Sequence, residues 1–479
     1  MYINGEWVNA NDTFTSISPA DTSLTIGHFQ SATEEDVSAA VQAARQAFPD
    51  WSNKPWQERI ELLEKVANLI SERLFLLGAV ISMEVGKNRL ESIGEAEEAA
   101  DLIRQSINTM RENDGFVRQL GSEDDSIKNY SVLKPYGVWG VISPFNFPFA
   151  LSAGPAGAAL VAGNTVVHKP ADDAPYTAFL LAQCFQDAGI PSGVYNMVTG
   201  SDEPGKALVA NADVNGITFT GSYDVGKSIL HEYGSGGEYV RPVVAEMGGK
   251  NAAIVTKNAD LDKAAQGVMR SAFGATGQKC TACSRVYVHN EVKTEFTAKL
   301  VELTKQIKVG DPTVRENYIG PLINESAYNS YRTYVADIAS DGEILVGGET
   351  LSDRGYFVAP TVVDNLPFDH YAWTKELFVP LVVVGEFEDK KEAMHMVNDV
   401  SLGLSAGIYT EDRNEIQWFL DNVEAGVIYV NRTAGATTGA WPGYQAFGGW
   451  KGSTGTNKSN TGNFYLQQYM REQGQTIVT

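Results

Sequence analysis

The sequence predicts an α/β fold with two doubly wound parallel sheets and a small additional β element. Two runs of alternating strand and helix patterns support the two sheets, one on each side of Gly248-Gly249. Strand patterns near 128–135 and at the carboxyl end lie outside both runs and support the third element. The expected domains are 1–114 with 136–247, then 248–447, and a small element from 115–135 and 448–479.

The start of the chain is expected to be scaffold. A short strand pair comes first, and Thr33 with Asp36 three residues later forms a capping box for a helix. Two further helical stretches, Glu58 to Leu77 and Arg89 to Asn113, carry charges that we expect to face solvent. They are predicted to be packing helices.

The first regular alternation begins at Tyr136. Parallel strands with right-handed crossovers bind ligands at the carboxyl ends of the strands, so we expect a Rossmann-like domain that binds a dinucleotide. The predicted strands are 137–142, 165–169, 194–198, 216–220 and 240–245, and the predicted helices are 150–162, 175–188, 203–211 and 224–233.

The second alternation follows Gly249 and is expected to form the catalytic domain. Its predicted strands are 252–256, 285–289, 379–385, 405–409 and 426–430. The tail after Gly448 is rich in Gly, Ser, Thr and Asn and ends in a strand pattern. Together with the pattern at 128–135, that terminal strand is predicted to pair across subunits of a homodimer or homotetramer.

Composition narrows the possible partners. The 479 residues include 37 Lys and Arg against 59 Asp and Glu, a formal net charge of −22, which disfavours nucleic acid and anionic membranes. Three cysteines, Cys184, Cys280 and Cys283, cannot form a disulfide framework and favour a reduced, cytoplasmic setting. No signal-peptide pattern, membrane-spanning apolar run or metal motif is found in the sequence, so a small molecule is the expected ligand.

Cys280 lies where a helical pattern gives way to a strand. Apolar residues recur at helical spacing from Leu261 to Phe273, and Gly274 and Gly277 then break the pattern. A thiolate is a strong nucleophile near neutral pH, and backbone N–H groups at such a junction are expected to lower its pKa and to hold an oxyanion. The alternative is a small buried cysteine with no chemical role.

Two strand ends carry polar groups of the kind that bind cofactors or stabilise charge. The prolines at 144 and 148 fix a turn in which the Asn146 amide is a possible oxyanion donor. Lys169 and Asp172 follow the next strand and suit ribose hydroxyls, and the carboxylate disfavours the 2′-phosphate of NADP. A turn asparagine and solvated charges are the alternative interpretations.

A glycine-bearing turn and a glutamate complete the set of candidates. Gly221, Ser222 and Gly226 stand at a strand-to-helix turn, where free N–H groups can bind a pyrophosphate. Glu246 precedes two glycines, a flexible and open position from which a carboxylate can act as a base on a water or on a thiol. A solvated loop glutamate is the alternative.

Taken together and in order, these stretches resemble the aldehyde dehydrogenase superfamily over nearly the whole chain. Each stretch alone is common, but seven in the same order are specific. The resembling stretches are Pro144-Phe145-Asn146-Phe147-Pro148, His168-Lys169-Pro170, Phe219-Thr220-Gly221-Ser222, Glu246-Met247-Gly248-Gly249-Lys250, Gly277-Gln278-Lys279-Cys280, Glu376-Leu377-Phe378 and Phe447-Gly448-Gly449.

The resemblance implies a catalytic role for Cys280, Glu246, Asn146 and Lys169. Cys280 would attack the aldehyde carbon, and the oxyanion of the thiohemiacetal would be held by the Asn146 amide and the Cys280 N–H. After hydride transfer, a water activated by Glu246 would hydrolyse the thioester to a carboxylate. An aldehyde cannot expel hydride until addition makes its carbon tetrahedral, so both a nucleophile and an oxyanion donor are needed.

The resemblance also implies NAD as cofactor, with NADP possible. Lys169 and Glu376 would hold the two riboses, Ser222 a phosphate, and Phe378 would pack near the nicotinamide. Further cofactor contacts are expected at Ile142, Ser143, Pro144, Phe145, Asp172, Gly221 and Gly226.

Within the superfamily, the run from Gly277 to Arg285 is most similar to the branch that oxidises glutamate γ-semialdehyde, the open form of 1-pyrroline-5-carboxylate. Asn431-Arg432 with Gly435-Ala436 is similar to the loop of that branch for the substrate's amino and carboxylate ends. The Gly-Ala pair comes one residue early, the span from Asn431 to Phe447 is longer, and Val379 replaces a glycine. Expected substrate contacts are Phe147, Thr281, Gly435, Ala436 and Phe447.

Other functions remain open at this point. Another small semialdehyde, such as 2-oxoglutarate semialdehyde, or a general range of aldehydes could be the substrate. Acyl transfer to coenzyme A is disfavoured by Glu246, since a base for water favours hydrolysis. A binding or structural protein without activity would not need Cys280, Asn146 and Glu246 together.

Overall fold

The computed structural model describes residues 1–235, 239–352, 354–435, 443–456, 458 and 461–479. Its first part contains two antiparallel strand pairs and four helices, and Thr33 and Asp36 form the predicted capping box. The predicted helix from Glu58 to Leu77 is two helices, because the chain bends by 69° at Arg73. The elements are β1 (Tyr2–Ile3), β2 (Glu6–Trp7), β3 (Asp12–Ser18), β4 (Asp21–Ser31), α1 (Glu34–Asn53), α2 (Trp56–Glu72), α3 (Leu74–Val85) and α4 (Arg89–Glu112).

The next elements complete the first sheet, whose strand order is β11-β10-β7-β8-β9-β1-β2. The strands from β7 to β11 run parallel, as the alternation predicted, and β1 and β2 extend the sheet antiparallel. The elements are β5 (Val117–Gln119), β6 (Ile127–Pro135), β7 (Val138–Ile142), α5 (Ala150–Ala162), β8 (Thr165–Lys169), α6 (Pro175–Asp187), β9 (Tyr195–Met197), α7 (Asp202–Ala210), β10 (Gly216–Thr220), α8 (Tyr223–Ser235) and β11 (Val243–Glu246).

The second sheet has the order β14-β15-β16-β13-β12-β18-β19, with β14 antiparallel to the rest. The short strands β14 and β15 were not predicted from the sequence. The elements are β12 (Asn251–Val255), α9 (Leu261–Phe273), β13 (Cys283–His289), α10 (Asn290–Lys305), α11 (Glu325–Asp341), β14 (Glu343–Val346), β15 (Thr361–Asp364), β16 (Leu381–Phe387), α12 (Lys390–Asn398), β17 (Leu402–Gly403), β18 (Ser405–Tyr409), α13 (Arg413–Asn422), β19 (Val427–Val430), β20 (Trp450–Lys451) and β21 (Met470–Val478).

A third sheet has the order β21-β6-β5. The terminal strand β21 pairs antiparallel with β6 of its own chain, from Met470 opposite Pro135 to Val478 opposite Ile127. The segment before it reaches the junction of the two large sheets, where the Ser453 hydroxyl donates to the Gly248 carbonyl at 2.7 Å. The domain boundaries and the role of the third sheet in assembly stay predictions.

The length and composition of a helix decide whether it could cross a bilayer. Among the residues that the structure describes, no single helix is long and apolar enough to cross a bilayer. The bent pair α2 and α3 reaches that length and composition together. Leu63, Val66, Ile70 and Ile81 of this pair are buried in the protein's own core.

Candidate active site

A cavity of about 430 Å³ brings together residues that the sequence placed far apart. Cys280 and Glu246 both line it, one from the loop before β13 and the other from the end of β11. The predicted substrate contacts Phe147, Thr281, Gly435 and Phe447 line the same cavity. Ala436, the fifth, lies outside the described residues.

The loop that carries Cys280 has an unusual backbone. Helix α9 ends at Phe273, and Ala275, Thr276 and Gly277 then have φ values of 47°, 57° and 69°. At Gly277 a Cβ would come within 2.5 Å of the Val379 carbonyl oxygen, so only glycine fits. The close contact with the segment before β16 fixes where the loop turns.

The surroundings of the Cys280 thiol raise its pKa. The N–H groups of Cys280 and Thr281 act in the opposite direction, as the sequence predicted, but burial outweighs them. The carboxylates of Glu246 and Glu376 raise the pKa further. The N–H groups therefore act in the expected direction, but the thiol pKa is raised overall because burial near two carboxylates disfavours the thiolate.

The Asn146 amide contacts the cysteine loop directly. Its Nδ2 donates to the main-chain carbonyl of Gln278 at 3.0 Å, and the residue is buried. The Gln278 side chain in turn accepts from the Ile323 N–H at 3.0 Å, which holds the loop from its other side. An asparagine amide has two N–H donors, so this bond leaves one for another acceptor.

Glu246 is the last residue of β11 and is 2% exposed. The sequence suggested a flexible, open position, but its partner in the sheet register is Thr220 and its N-terminal neighbours are core residues. Burial raises the pKa of its carboxyl well above the usual range. A raised pKa suits a general base that works near neutral pH.

Two predicted cofactor residues, Ile142 and Lys169, stand side by side at one edge of the first sheet. In the register, Ile142 lies opposite Lys169 and Phe219, and Thr220 lies opposite Glu246. This edge is the carboxyl end of the parallel strands, where such sheets bind ligands.

Lys169 is buried at the end of β8, and burial lowers the pKa of its ammonium. Asp172, Asp202 and Asp173 act against this lowering. Asp172 itself is exposed, whereas burial raises the pKa of Asp173 to about 6. The lysine thus lies close to carboxylates at the point where a ribose is expected.

The turn from Gly221 leads into α8, whose first residue is Tyr223. The Ser222 carbonyl accepts from the Gly226 N–H at 3.0 Å, and the Ser222 hydroxyl lies 3.4 Å from the Val225 nitrogen. A Cβ on Gly226 would lie 2.4 Å from the Met247 sulfur, so the helix packs this closely only with glycine. A helix N-terminus preceded by such a turn fits a pyrophosphate.

Contacts within the chain hold the turn after β7 in place. The Ser143 hydroxyl lies 3.2 Å from both the Leu151 carbonyl and His168 Nε2, and therefore faces the interior. Pro144 and Phe145 are half-buried, and the Phe145 ring meets the Phe378 ring edge-on at 5.9 Å between centroids.

Glu376 lies against the glycine pair that follows Glu246. Its Oε1 accepts from the Gly249 N–H at 2.9 Å, and burial raises the pKa of its carboxyl to about 7. A Cβ on Gly248 would be only 2.0 Å from Glu376 Oε2. The carboxylate predicted to hold a ribose thus reaches the turn that follows Glu246.

Helix α4 contributes to the cavity wall, which was not predicted from the sequence. Glu91, Glu95 and Glu98 line the cavity, although the charges of this helix were expected to face solvent. Glu91 accepts from the Ala275 N–H at 3.0 Å and from Lys279 Nζ at 2.8 Å. The sequence does contain a pattern that could have indicated this, since the three glutamates at i, i+4 and i+7 share one helix face.

Basic residues also reach the cavity wall. Arg270 of α9, Lys279 beside the cysteine and Arg432 after β19 line it. Arg432 belongs to the pair that the sequence related to a substrate loop. Acidic and basic side chains therefore both border the space in front of Cys280.

The sequence and the structure are both similar to those of known proteins. Residues 7–474 match the aldehyde dehydrogenase family. The 1-pyrroline-5-carboxylate dehydrogenase of Staphylococcus saprophyticus is 37% identical over 476 residues, covering 98% of this chain and 91% of its own. The R100A mutant of the Thermus thermophilus enzyme of that name superposes with a TM-score of 0.96 at 32% identity, covering 100% of this chain and 92% of its own. A Thermus 1-pyrroline-5-carboxylate dehydrogenase with bound NAD gives the same TM-score, identity and coverage. The chain belongs to the aldehyde dehydrogenase family.

Proposed function

We propose that the protein oxidises glutamate γ-semialdehyde to glutamate with NAD. The observation that carries this proposal is the shared cavity, in which Cys280 and Glu246 stand together and charged side chains of both signs border the same space. The relatives named 1-pyrroline-5-carboxylate dehydrogenase support the choice of substrate.

Cys280 forms the covalent bond to the aldehyde carbon. Its sulfur attacks as the thiolate, and the carbonyl oxygen becomes an oxyanion that the second N–H of Asn146 and the Cys280 N–H stabilise. Loss of hydride from this thiohemiacetal leaves a thioester on Cys280.

Glu246 then acts on water. Its carboxylate takes a proton from a water molecule that attacks the thioester carbon, and the thiol leaves as glutamate is released. Burial raises the pKa of Glu246, which makes its carboxylate a stronger base.

The first sheet and Glu376 hold the cofactor. Lys169 and Glu376 bind the riboses, the turn at Gly221 and Ser222 binds the pyrophosphate, and Phe378 packs near the nicotinamide. When bound, NAD supplies the hydride acceptor. Asp172 favours NAD over NADP, since a carboxylate near the ribose repels a 2′-phosphate.

The charged wall of the cavity suits the amino-acid end of the substrate. An α-carboxylate finds cations in Lys279, Arg270 and Arg432, and an α-ammonium finds a carboxylate in Glu91. Charge-assisted hydrogen bonds of this kind reject analogues that lack the group.

A substrate panel tests the proposal. It contains glutamate γ-semialdehyde, its 2-oxo analogue, 5-oxopentanoate, which lacks only the amino group, and hexanal, each with NAD and with NADP. We expect kcat/KM to be about 100-fold higher for glutamate γ-semialdehyde than for 5-oxopentanoate, with NAD preferred. Turnover of hexanal that equals or exceeds that of glutamate γ-semialdehyde would refute the assignment of the substrate. A preference for the 2-oxo analogue would make that compound the assigned substrate instead.

We also propose a homodimer or homotetramer that forms through the third sheet, in a cytoplasmic setting. Among the described strands, β5 and β21 each pair on one side only, so each offers an edge to a second subunit. Light scattering of the native protein and of Gln475→Pro in β21 tests this. Identical masses for the two proteins would contradict the proposed interface.

A further inference from the structure

We propose that Lys87 and Glu95 are positioning residues that hold the Asn146 turn against the cysteine loop. The proposal rests on the role proposed above for the Asn146 amide. The two side chains form an ion pair of 2.6 Å, with 3% of the lysine and none of the glutamate side chain exposed.

Lys87 makes three contacts, two of which go to the turn itself. Its Nζ donates to Glu95 Oε2 at 2.6 Å and to the main-chain carbonyl of Asn146 at 3.1 Å. It also lies 3.4 Å from the centroid of the Phe147 ring, a cation–π contact. An ammonium has three N–H donors, so these contacts use its full capacity.

Glu95 holds the other end of the same turn. Its Oε1 accepts from the Phe149 N–H at 2.8 Å and lies 3.3 Å from the Ala150 nitrogen. These groups begin α5, which has no side-chain cap of its own, and a carboxylate is favoured at a helix N-terminus. The backbone from 146 to 150 is therefore fixed at both ends by one buried pair.

The pair reaches the nucleophile through Asn146. Lys87 holds the main chain of this residue, and the side chain of the same residue donates to the Gln278 carbonyl, two residues before Cys280. Lys87 also holds Phe147, whose ring lines the cavity. Moving the lysine would therefore move the amide and the aromatic wall together.

Stability alone does not explain such a pair. Two charges taken out of water gain little net free energy, and apolar side chains of similar size often pack as well. The charges instead fix the orientation of the turn, because the ammonium and the carboxylate bind particular main-chain groups. An oxyanion donor works only at a fixed distance, and a displacement of about 1 Å can reduce a rate by about 100-fold.

A double-mutant cycle between Lys87→Met and Asn146→Ala tests the proposal. The readout is the single-turnover rate of NADH formation at saturating NAD. We expect Lys87→Met to lower this rate by about 10- to 100-fold in the native background. In the Asn146→Ala background the same change should lower it by less than about threefold, because the group that the lysine positions is absent.

A cofactor-free measurement gives a second readout. Aldehyde that adds to Cys280 protects the thiol from iodoacetamide. The aldehyde concentration that gives half protection should be higher in Lys87→Met than in the native protein. It should be the same in the double mutant as in Asn146→Ala. Lys293→Met is the matched control, since Lys293 is a partly buried, ion-paired lysine outside the cavity. It should leave both readouts unchanged.

Each outcome decides the question. Equal losses from Lys87→Met in both backgrounds would overturn the positioning role. Native rates in Asn146→Ala alone would refute the proposed role of Asn146, a separate failure. Should Lys87→Met not fold, Lys87→Met with Glu95→Gln removes both charges of the pair and enters the same cycle, with the same two outcomes.

Discussion

Asn146 donates its side-chain amide to the carbonyl of Gln278 across 3.0 Å, which joins the turn after β7 to the loop that carries Cys280. This bond fixes the amide against the main chain two residues before Cys280. The remaining N–H of the amide is then available to an oxyanion.

We therefore expect Asn146→Ala to lower the single-turnover rate by about 100- to 1000-fold, the usual effect of losing one oxyanion donor. The affinity for NAD should stay the same. Asn108→Ala, on the exposed face of α4, is the control. A loss confined to KM with kcat unchanged would contradict the role of Asn146.

Glu246→Gln should separate the two chemical steps. Without a base for water, the thioester should accumulate after a burst of one NADH per site, and kcat should fall by about 100-fold or more. Intact mass spectrometry should show one acyl group on the protein. Glu232→Gln on α8 serves as an exposed control.

Turnover that depends on added coenzyme A in the native protein would argue against hydrolysis as the second step. A Glu246→Gln protein that neither bursts nor carries an acyl group would mean that Glu246 acts before the thioester forms.

The raised pKa of the Cys280 thiol predicts a pH dependence in the cofactor-free protein. Since only the thiolate reacts, alkylation of Cys280 by iodoacetamide should rise about tenfold for each pH unit between about pH 7 and 9. Peptide mapping distinguishes Cys280 from Cys184 and Cys283. A rate that is already level at pH 7 would contradict the raised pKa.

Glu376→Gln tests whether the Glu376 carboxylate helps to raise the pKa of the Cys280 thiol. Removing a negative charge near the thiol lowers the thiol pKa, so alkylation at pH 8 should be about two- to tenfold faster than in the native protein. Glu388→Gln, an exposed carboxylate after β16, should behave like the native protein. No acceleration would mean that Glu376 does not contribute to the raised pKa, which would then be due to burial and Glu246.

The sequence predicted most of the architecture because periodicity reports local structure. The strand at 165–169 and the helix at 150–162 have the predicted bounds. The patterns that failed were short or ambiguous, as at β14 and β15, or depended on which face of a helix is buried. Glu95 was expected in solvent because its burial is decided by the turn that follows β7.

The candidate site was predicted in part for the same reason. Sequence motifs identify Cys280, Glu246 and Asn146, but they do not show how deeply these residues are buried. The pKa of the Cys280 thiol depends first on its burial and then on carboxylates from β11 and from the segment before β16. The ion pair of Lys87 and Glu95 contacts the turn at 146–150, which is distant in the sequence. No local sequence pattern predicts such contacts.

The central claim is that the sulfur of Cys280 forms the covalent bond, and NADH formation by Cys280→Ala tests it most directly. The matched control is Cys283→Ala, whose buried thiol donates to the Arg285 carbonyl at 3.5 Å and whose pKa is raised to about 12 by burial. We predict no NADH from Cys280→Ala with NAD binding retained, and turnover in Cys283→Ala. Turnover retained by Cys280→Ala would contradict the account.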